Sequence, residues 1–176
     1  MKALKGIIIG TILVFSIGVV VFLGLSLYAY SNLKYYSVYY AQQMPHKEGT
    51  EPDLVMLIEN MGSIYTPKIE GIRYDDDGRN FIENSTNLTG KPTNFDEFVG
   101  GYGYSDQNDV TYKFNKNFSL EWAIDKHYKK IDIATIDEKK IKEEIRETVQ
   151  PVLDVQPKPL INLQWLFNKK YQDRFN

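Results

Sequence analysis

Thr111-Tyr112-Lys113-Phe114-Asn115-Lys116-Asn117-Phe118-Ser119-Leu120-Glu121-Trp122-Ala123-Ile124 is the stretch on which the fold turns. Tyr112 and Phe114 alternate with polar residues before Asn115-Lys116-Asn117, and Phe118, Leu120, Trp122 and Ile124 alternate after it. Period-two alternation on both sides of a polar turn is a β-hairpin with one apolar face, here the even positions of the returning strand. Downstream, Asp125 to His127 turns the chain and Tyr128 to Ile133 reads as a further strand. Upstream, Ile69 to Tyr74 and Arg79 to Glu83 flank Asp75-Asp76-Asp77-Gly78, a second hairpin whose Asp-Gly supplies the positive-φ position of a tight turn.

Between the hairpins, 84–109 is polar and glycine-rich (Gly90-Lys91-Pro92, then Gly100-Gly101-Tyr102-Gly103-Tyr104) and reads as one long loop packed by its own aromatics. Leu54 to Ile58 is an apolar run of strand length. Thr135-Ile136-Asp137-Glu138 has the form of a capping box, and Ile141, Ile145 and Val149 recur four apart, so a helix packs one face on the sheet until Pro151. Ile161, Leu163, Trp165 and Phe167 alternate like a closing strand. No internal repeat is evident. The fold class is α+β: antiparallel strands with a late packed helix, behind a single N-terminal transmembrane helix.

That helix is read from charge. Lys5 and Lys34 bracket 28 uncharged residues, and the 24 from Ile7 to Tyr30 would reach about 36 Å as a helix, against a hydrocarbon layer of about 30 Å. The run is longer than a cleavable signal core, so it reads as an uncleaved signal anchor. Lys2 and Lys5 precede it and only Lys34 closely follows, which places the N-terminus in the cytoplasm and the bulk outside, in the periplasm if the cell is bacterial. Tyr28, Tyr30, Tyr35 and Tyr36 then form an interfacial belt that anchors the outer end. Gly6 and Gly10 are spaced for close helix approach. The organisation is a stub (1–6), the span (7–30), a Tyr-rich stalk and linker (31–52) and an extracytoplasmic domain (53–176).

Residues 31–176 hold 19 basic and 23 acidic side chains, the wrong balance for a nucleic-acid partner. Without cysteine there is no disulfide, thiol nucleophile or lipid-bearing cysteine. The two histidines, His46 and His127, lie in no metal-spaced pair, and the Asp75 cluster fails the EF-hand pattern because Arg79 and Asn80 occupy its fifth and sixth positions. No metal, cofactor or catalytic set is read. Glu121 and Asp125 beside Trp122 are the one pair that would suit a glycan hydrolase. Phe98, Tyr102, Tyr104 and Trp122 are the candidate binding residues, since aromatics dominate protein interfaces.

The run Asn117-Phe118-Ser119-Leu120-Glu121-Trp122, then Tyr128 and Ile131-Asp132-Ile133 before a helix, with Gly100-Gly101-Tyr102-Gly103 upstream, resembles a segment of an uncharacterised family of bacterial envelope lipoproteins. The likeness covers about 45 residues. Thr135 stands where that family opens its helix with proline, and no cysteine is present to carry a lipid. The resemblance implies an envelope-facing interaction domain, with some relatives acting as immunity proteins against secreted toxins. The expected partners are the bilayer and another envelope protein, with an accessory subunit of a membrane complex, or an envelope hydrolase, as the alternatives.

Overall fold

The computed structural model describes residues 2–75, 79–86 and 91–176, with side chains from Ile9 onward. The turn at 76–78 and Gly90 therefore lie outside the described residues, while Gly6 is described only as part of the first helix. The first helix, α1 (Lys2–Tyr35), contains a 27-residue apolar stretch, Ile9–Tyr35, of which nothing in the hydropathic window is buried. It is long and apolar enough to cross a bilayer. At Tyr36 the helix breaks, and α2 (Ser37–Gln43) continues until Pro45 prevents a further turn.

Behind these helices stands α+β architecture. Seven strands pair in chain order as one antiparallel meander: β1 (Ile72–Asp75), β2 (Phe81–Asn84), β3 (Thr93–Phe98), β4 (Gly101–Ser105), β5 (Thr111–Asn115), β6 (Leu120–Ile124) and β7 (Lys130–Ile131). Two helices, α3 (Pro52–Glu59) and α4 (Glu138–Leu153), lie against one face of the sheet at β2 and β3. The last helix, α5 (Gln164–Phe175), packs on α2.

The core is aromatic. Phe114 and Phe118 stack with centroids 4.9 Å apart, and Phe95 and Tyr102 close on Phe118 from 6.1 and 5.7 Å. Two charge clusters seam the helices to this core. Arg146 of α4 is bidentate to Asp53 at the start of α3, both bonds 2.9 Å, and reaches Glu51. Arg174 of α5 is bidentate to Glu59 of α3, both bonds again 2.9 Å, while the Tyr102 hydroxyl donates to Glu59 at 2.7 Å. Burial works against ionising Glu59, but the bonds from Arg174 and Tyr102 outweigh it and hold its carboxyl below the usual range.

Several elements differ from the sequence reading. Leu54 to Ile58 is helical, buried on every side, with Pro52 at its first position. The 84–109 loop contains β3 and β4, joined through Val99-Gly100, where Gly100 takes φ +79°. The Ile161–Phe167 strand is instead the entry to α5, whose buried series is Leu163, Phe167, Tyr171 and Phe175 at four-residue spacing. Asp137, not Thr135, caps α4 by accepting from the Lys140 amide at 3.2 Å, and Thr135 belongs to a short 3-10 turn at 133–135. Pro151 falls inside the last turn of α4, which runs on because Val152 and Leu153 are buried. The stalk read at 31–52 is part of the domain: Leu33, Val38, Tyr40, Ala41 and Met44 are all core.

One repeat emerges that the sequence concealed. The turns opened by Asp106, Asn115 and Asp125 are built alike. In each, the opening carboxylate or amide oxygen accepts the amides two and four residues on, at 2.8–3.1 Å. The third residue after it closes the turn in left-handed backbone: Asp109, Phe118 and Tyr128, with φ of 60–61°. These are three-residue hairpin loops, a type I turn followed by a positive-φ position that ordinarily takes glycine. Phe118 repays the strain by filling the core, whereas Tyr128 is 86% exposed. Tyr128→Gly is expected to stabilise the chain by about 0.5–1 kcal/mol, and Phe118→Gly to destabilise it by about 3 kcal/mol. Urea unfolding of the full chain in detergent, followed by tryptophan fluorescence, checks both signs.

Candidate functional site

Among the described residues, no helix packs on the opposite face of the sheet, and strand alternation decides which side chains it displays. Residues of β3 with even numbers point there, as do the odd residues of β4 and β5. Tyr102 and Tyr104 consequently face the helices and are buried, with Tyr104 stacked on Tyr112 at 6.1 Å. They do not join Phe98 and Trp122 in one surface.

Trp122 reaches the open face through a bulge. Between Lys113 and Phe114 the register shifts, so that Phe114 pairs Leu120 while Lys113 pairs Trp122. Glu121 is the extra residue, and every side chain after it changes face. The even-position apolar face expected for this strand is therefore split: Leu120 turns inward and Trp122 outward. There Trp122 meets Phe98 edge-on, centroids 6.4 Å apart. Arg79 lies 6.0 Å from the Phe98 ring and Lys113 Nζ 5.6 Å from it, and Arg73 lies 5.7 Å from Phe81 on the neighbouring strand.

Glycine makes this arrangement possible. A Cβ at Gly101 would stand 2.0 Å from the Phe114 carbonyl oxygen and 2.5 Å from Lys113 Nζ, and one at Gly103 would stand 2.4 Å from Asp96 Oδ1. The Gly101–Gly103 trough thus accepts two charged side chains laid across the sheet. Lys113 is buried under the aromatic pair, donates to the Phe114 carbonyl at 2.9 Å and lies 3.9 Å from Glu121. Burial pulls its ammonium below the usual value, and Glu121 opposes this only in part. Asp96 is pushed up to about 6 by burial, against the pull of Arg79 and the amides of Asp96 and Gly103. The face is an aromatic pair flanked by partly desolvated charges of both signs.

The other sequence candidates fall elsewhere. Asp125 is committed to its turn, where the amides of Lys129 and His127 hold its carboxyl down, and Glu121 sits on the bulge beside Lys113. Asp125 thus acts as a turn cap, and Glu121 as the exposed partner of a buried lysine. Among the described residues, no group of three or more His, Asp or Glu side chains is placed to hold a metal. Tyr28, Tyr30 and Tyr35 are exposed at the end of α1, and Tyr36 is half-buried against Tyr35, rings 4.8 Å apart. Tyr128, which the candidate binding set does not include, is an exposed aromatic held in left-handed backbone. Comparison of the chain with family models, curated proteins and solved structures finds no match.

Because the folded Asp96 carboxyl titrates near 6 and the unfolded one near 3.9, the native state keeps a proton that the unfolded chain has lost. Its contribution is complete below about pH 4 and is lost as pH rises through about 6. Asp96→Asn, which fixes the neutral form, is expected to gain about 1–2 kcal/mol over the native chain at pH 7 and nothing at pH 4. Parallel urea titrations at the two pH values check this.

Proposed function

We propose that this is a single-span membrane protein whose extracytoplasmic α+β domain binds another protein of the cell envelope through the helix-free face of its sheet. The observation that carries the reading is the Phe98–Trp122 pair on the uncovered face, bordered by Arg79, Lys113 and Asp96. Aromatic anchors with charged surroundings are what protein interfaces use for affinity and for choice of partner. Lys2 and Lys5 ahead of the apolar run of α1, against Lys34 alone close behind it, support the outward orientation. Resemblance to envelope lipoproteins supports the specific form of an immunity or inhibitor protein, in which this face covers a toxin. The four-residue spacing of Gly6 and Gly10, which suits close approach of another span, supports the second reading, an accessory subunit that packs its span against others.

In-cell crosslinking of the tagged full chain, followed by mass spectrometry, separates these readings. Phe98→Ala with Trp122→Ala is expected to reduce recovery of the principal partner tenfold or more, as loss of two aromatic anchors typically costs upward of 1.4 kcal/mol. Undiminished recovery overturns the binding face. Loss on exchanging α1 for an unrelated span instead assigns the accessory role. Orientation has its own measurement, since the chain lacks cysteine. Lys126→Cys is expected to react with a membrane-impermeant maleimide in intact cells or spheroplasts; reaction only after lysis would place the domain in the cytoplasm.

A further inference from the structure

Leu160, Ile161 and Trp165 are 99, 56 and 66% exposed, and all three lie where the end of the chain docks on the end of α1. The Tyr40 hydroxyl donates to Asn32 Oδ1 at 2.6 Å and approaches the Ile161 carbonyl at 3.3 Å. Asn32 Nδ2 lies 3.4 Å from the same carbonyl, and the Leu163 amide donates to the Tyr40 hydroxyl at 3.0 Å. Lys170 Nζ stands 5.8 Å from the Tyr30 ring. Position along α1 therefore fixes the depth of the docked segment. The 24 residues from Ile7 to Tyr30 cross the hydrocarbon layer with some tilt. Asn32 is two residues, about 3 Å, further on. The Ile161 carbonyl that it contacts is at headgroup depth.

Charge is sorted in the same way. From Val155 to Gln172 there is no acidic residue, and Lys158, Lys169 and Lys170 occupy the segment, in a soluble part that is acidic as a whole. Lys34 adds a fourth cation at the end of α1. Trp165 and Lys169 follow one another at four-residue spacing on the exposed side of α5, away from buried Phe167. Exposed aliphatic and tryptophan side chains interleaved with lysines are the composition of an interfacial lipid contact.

We infer that residues 158–170 form a second membrane-binding site, for the anionic lipid surface of the leaflet from which α1 emerges. Leu160, Ile161 and Trp165 enter the headgroup–acyl boundary, and Lys158, Lys169, Lys170 and Lys34 meet lipid phosphates, holding the domain against the bilayer. The site rests on α1 crossing the membrane, which is the anchor part of the proposed function, and is independent of the open sheet face and of orientation.

The test uses the full chain reconstituted in vesicles of phosphatidylcholine with phosphatidylglycerol. Because cysteine is absent, a spin label at Leu160→Cys can be compared with one at Lys126→Cys, in the β6–β7 turn. The Leu160 label is expected to be severalfold more accessible to oxygen than to an aqueous nickel chelate, and the Lys126 label to show the reverse. Pure phosphatidylcholine vesicles, or Lys169→Glu with Lys170→Glu, should reduce the Leu160 preference severalfold. Aqueous behaviour at both labels overturns the site, and shielding of Leu160 from both reagents overturns it in favour of a protein cover. A preference unchanged by lipid charge and by the lysine variant removes the anionic-lipid assignment. Retention of the detergent unfolding midpoint by each variant shows that the domain remains folded, and loss of partner crosslinking would not alter any of these readings.

Discussion

A single buried hydroxyl determines how the parts of this molecule are held together. Tyr40 Oη stands between Asn32 on the anchoring helix, the Ile161 carbonyl and the Leu163 amide at the entry to α5. Tyr40 and Asn32 are buried and polar, so each requires a partner, and the backbone at 161–163 supplies the rest. Around the hydroxyl, the Tyr40 ring packs on Phe167 with centroids 5.4 Å apart. The polar bonds fix the angle at which the chain end meets the anchor, and the apolar contact supplies the adhesion. Without this junction α2 and α5 would each have an uncovered apolar face, and the domain would hang from a flexible tether. With it, the anchor and the domain share one core.

The sheet imposes the second constraint. Helices cover one face, so each strand sorts its residues by parity into core and surface, and the bulge at Glu121 is the point where that sorting is re-set. Its effect is to bring Trp122 beside Phe98 and over Lys113. The two glycines of β4 complete the arrangement by leaving the backbone bare where Lys113 and Asp96 must cross it. A long aliphatic lysine stem and an aromatic ring then bury the same patch of sheet, with the ammonium satisfied by a backbone carbonyl.

Where one periodic face was buried, the sequence was sufficient. The Tyr112–Leu120 part of the hairpin and the Ile141-Ile145-Val149 face of α4 follow from spacing, and the long first helix follows from its uncharged apolar run. Leu54 to Ile58 was illegible because a segment buried all round carries no period, and only Pro52 hinted at a helix start. The final helix was obscured because Trp165 is exposed, mimicking alternation with Leu163 and Phe167; the true series continues to Tyr171 and Phe175. β4 looked like a loop because its outward residues are Gly101 and Gly103. The open face of the sheet was half legible for the same reason: its aromatics were visible, but parity, which separates Phe98 and Trp122 from Tyr102 and Tyr104, requires strands where a loop was read. The three equivalent turns escaped notice because their positive-φ positions carry Asp109, Phe118 and Tyr128 in place of glycine, at unequal spacings.

The junction of α1, α2 and α5 has a consequence for synthesis. Asn32 and Tyr40 are made more than 120 residues before Ile161 and Leu163. α2 can pack on α3 once both have emerged, but the side of α2 that meets α5 is covered only after residues 161–175 have been synthesised. The junction is therefore one of the later contacts to close. A chain interrupted before α5 would leave the Tyr40 hydroxyl without its partners at Ile161 and Leu163.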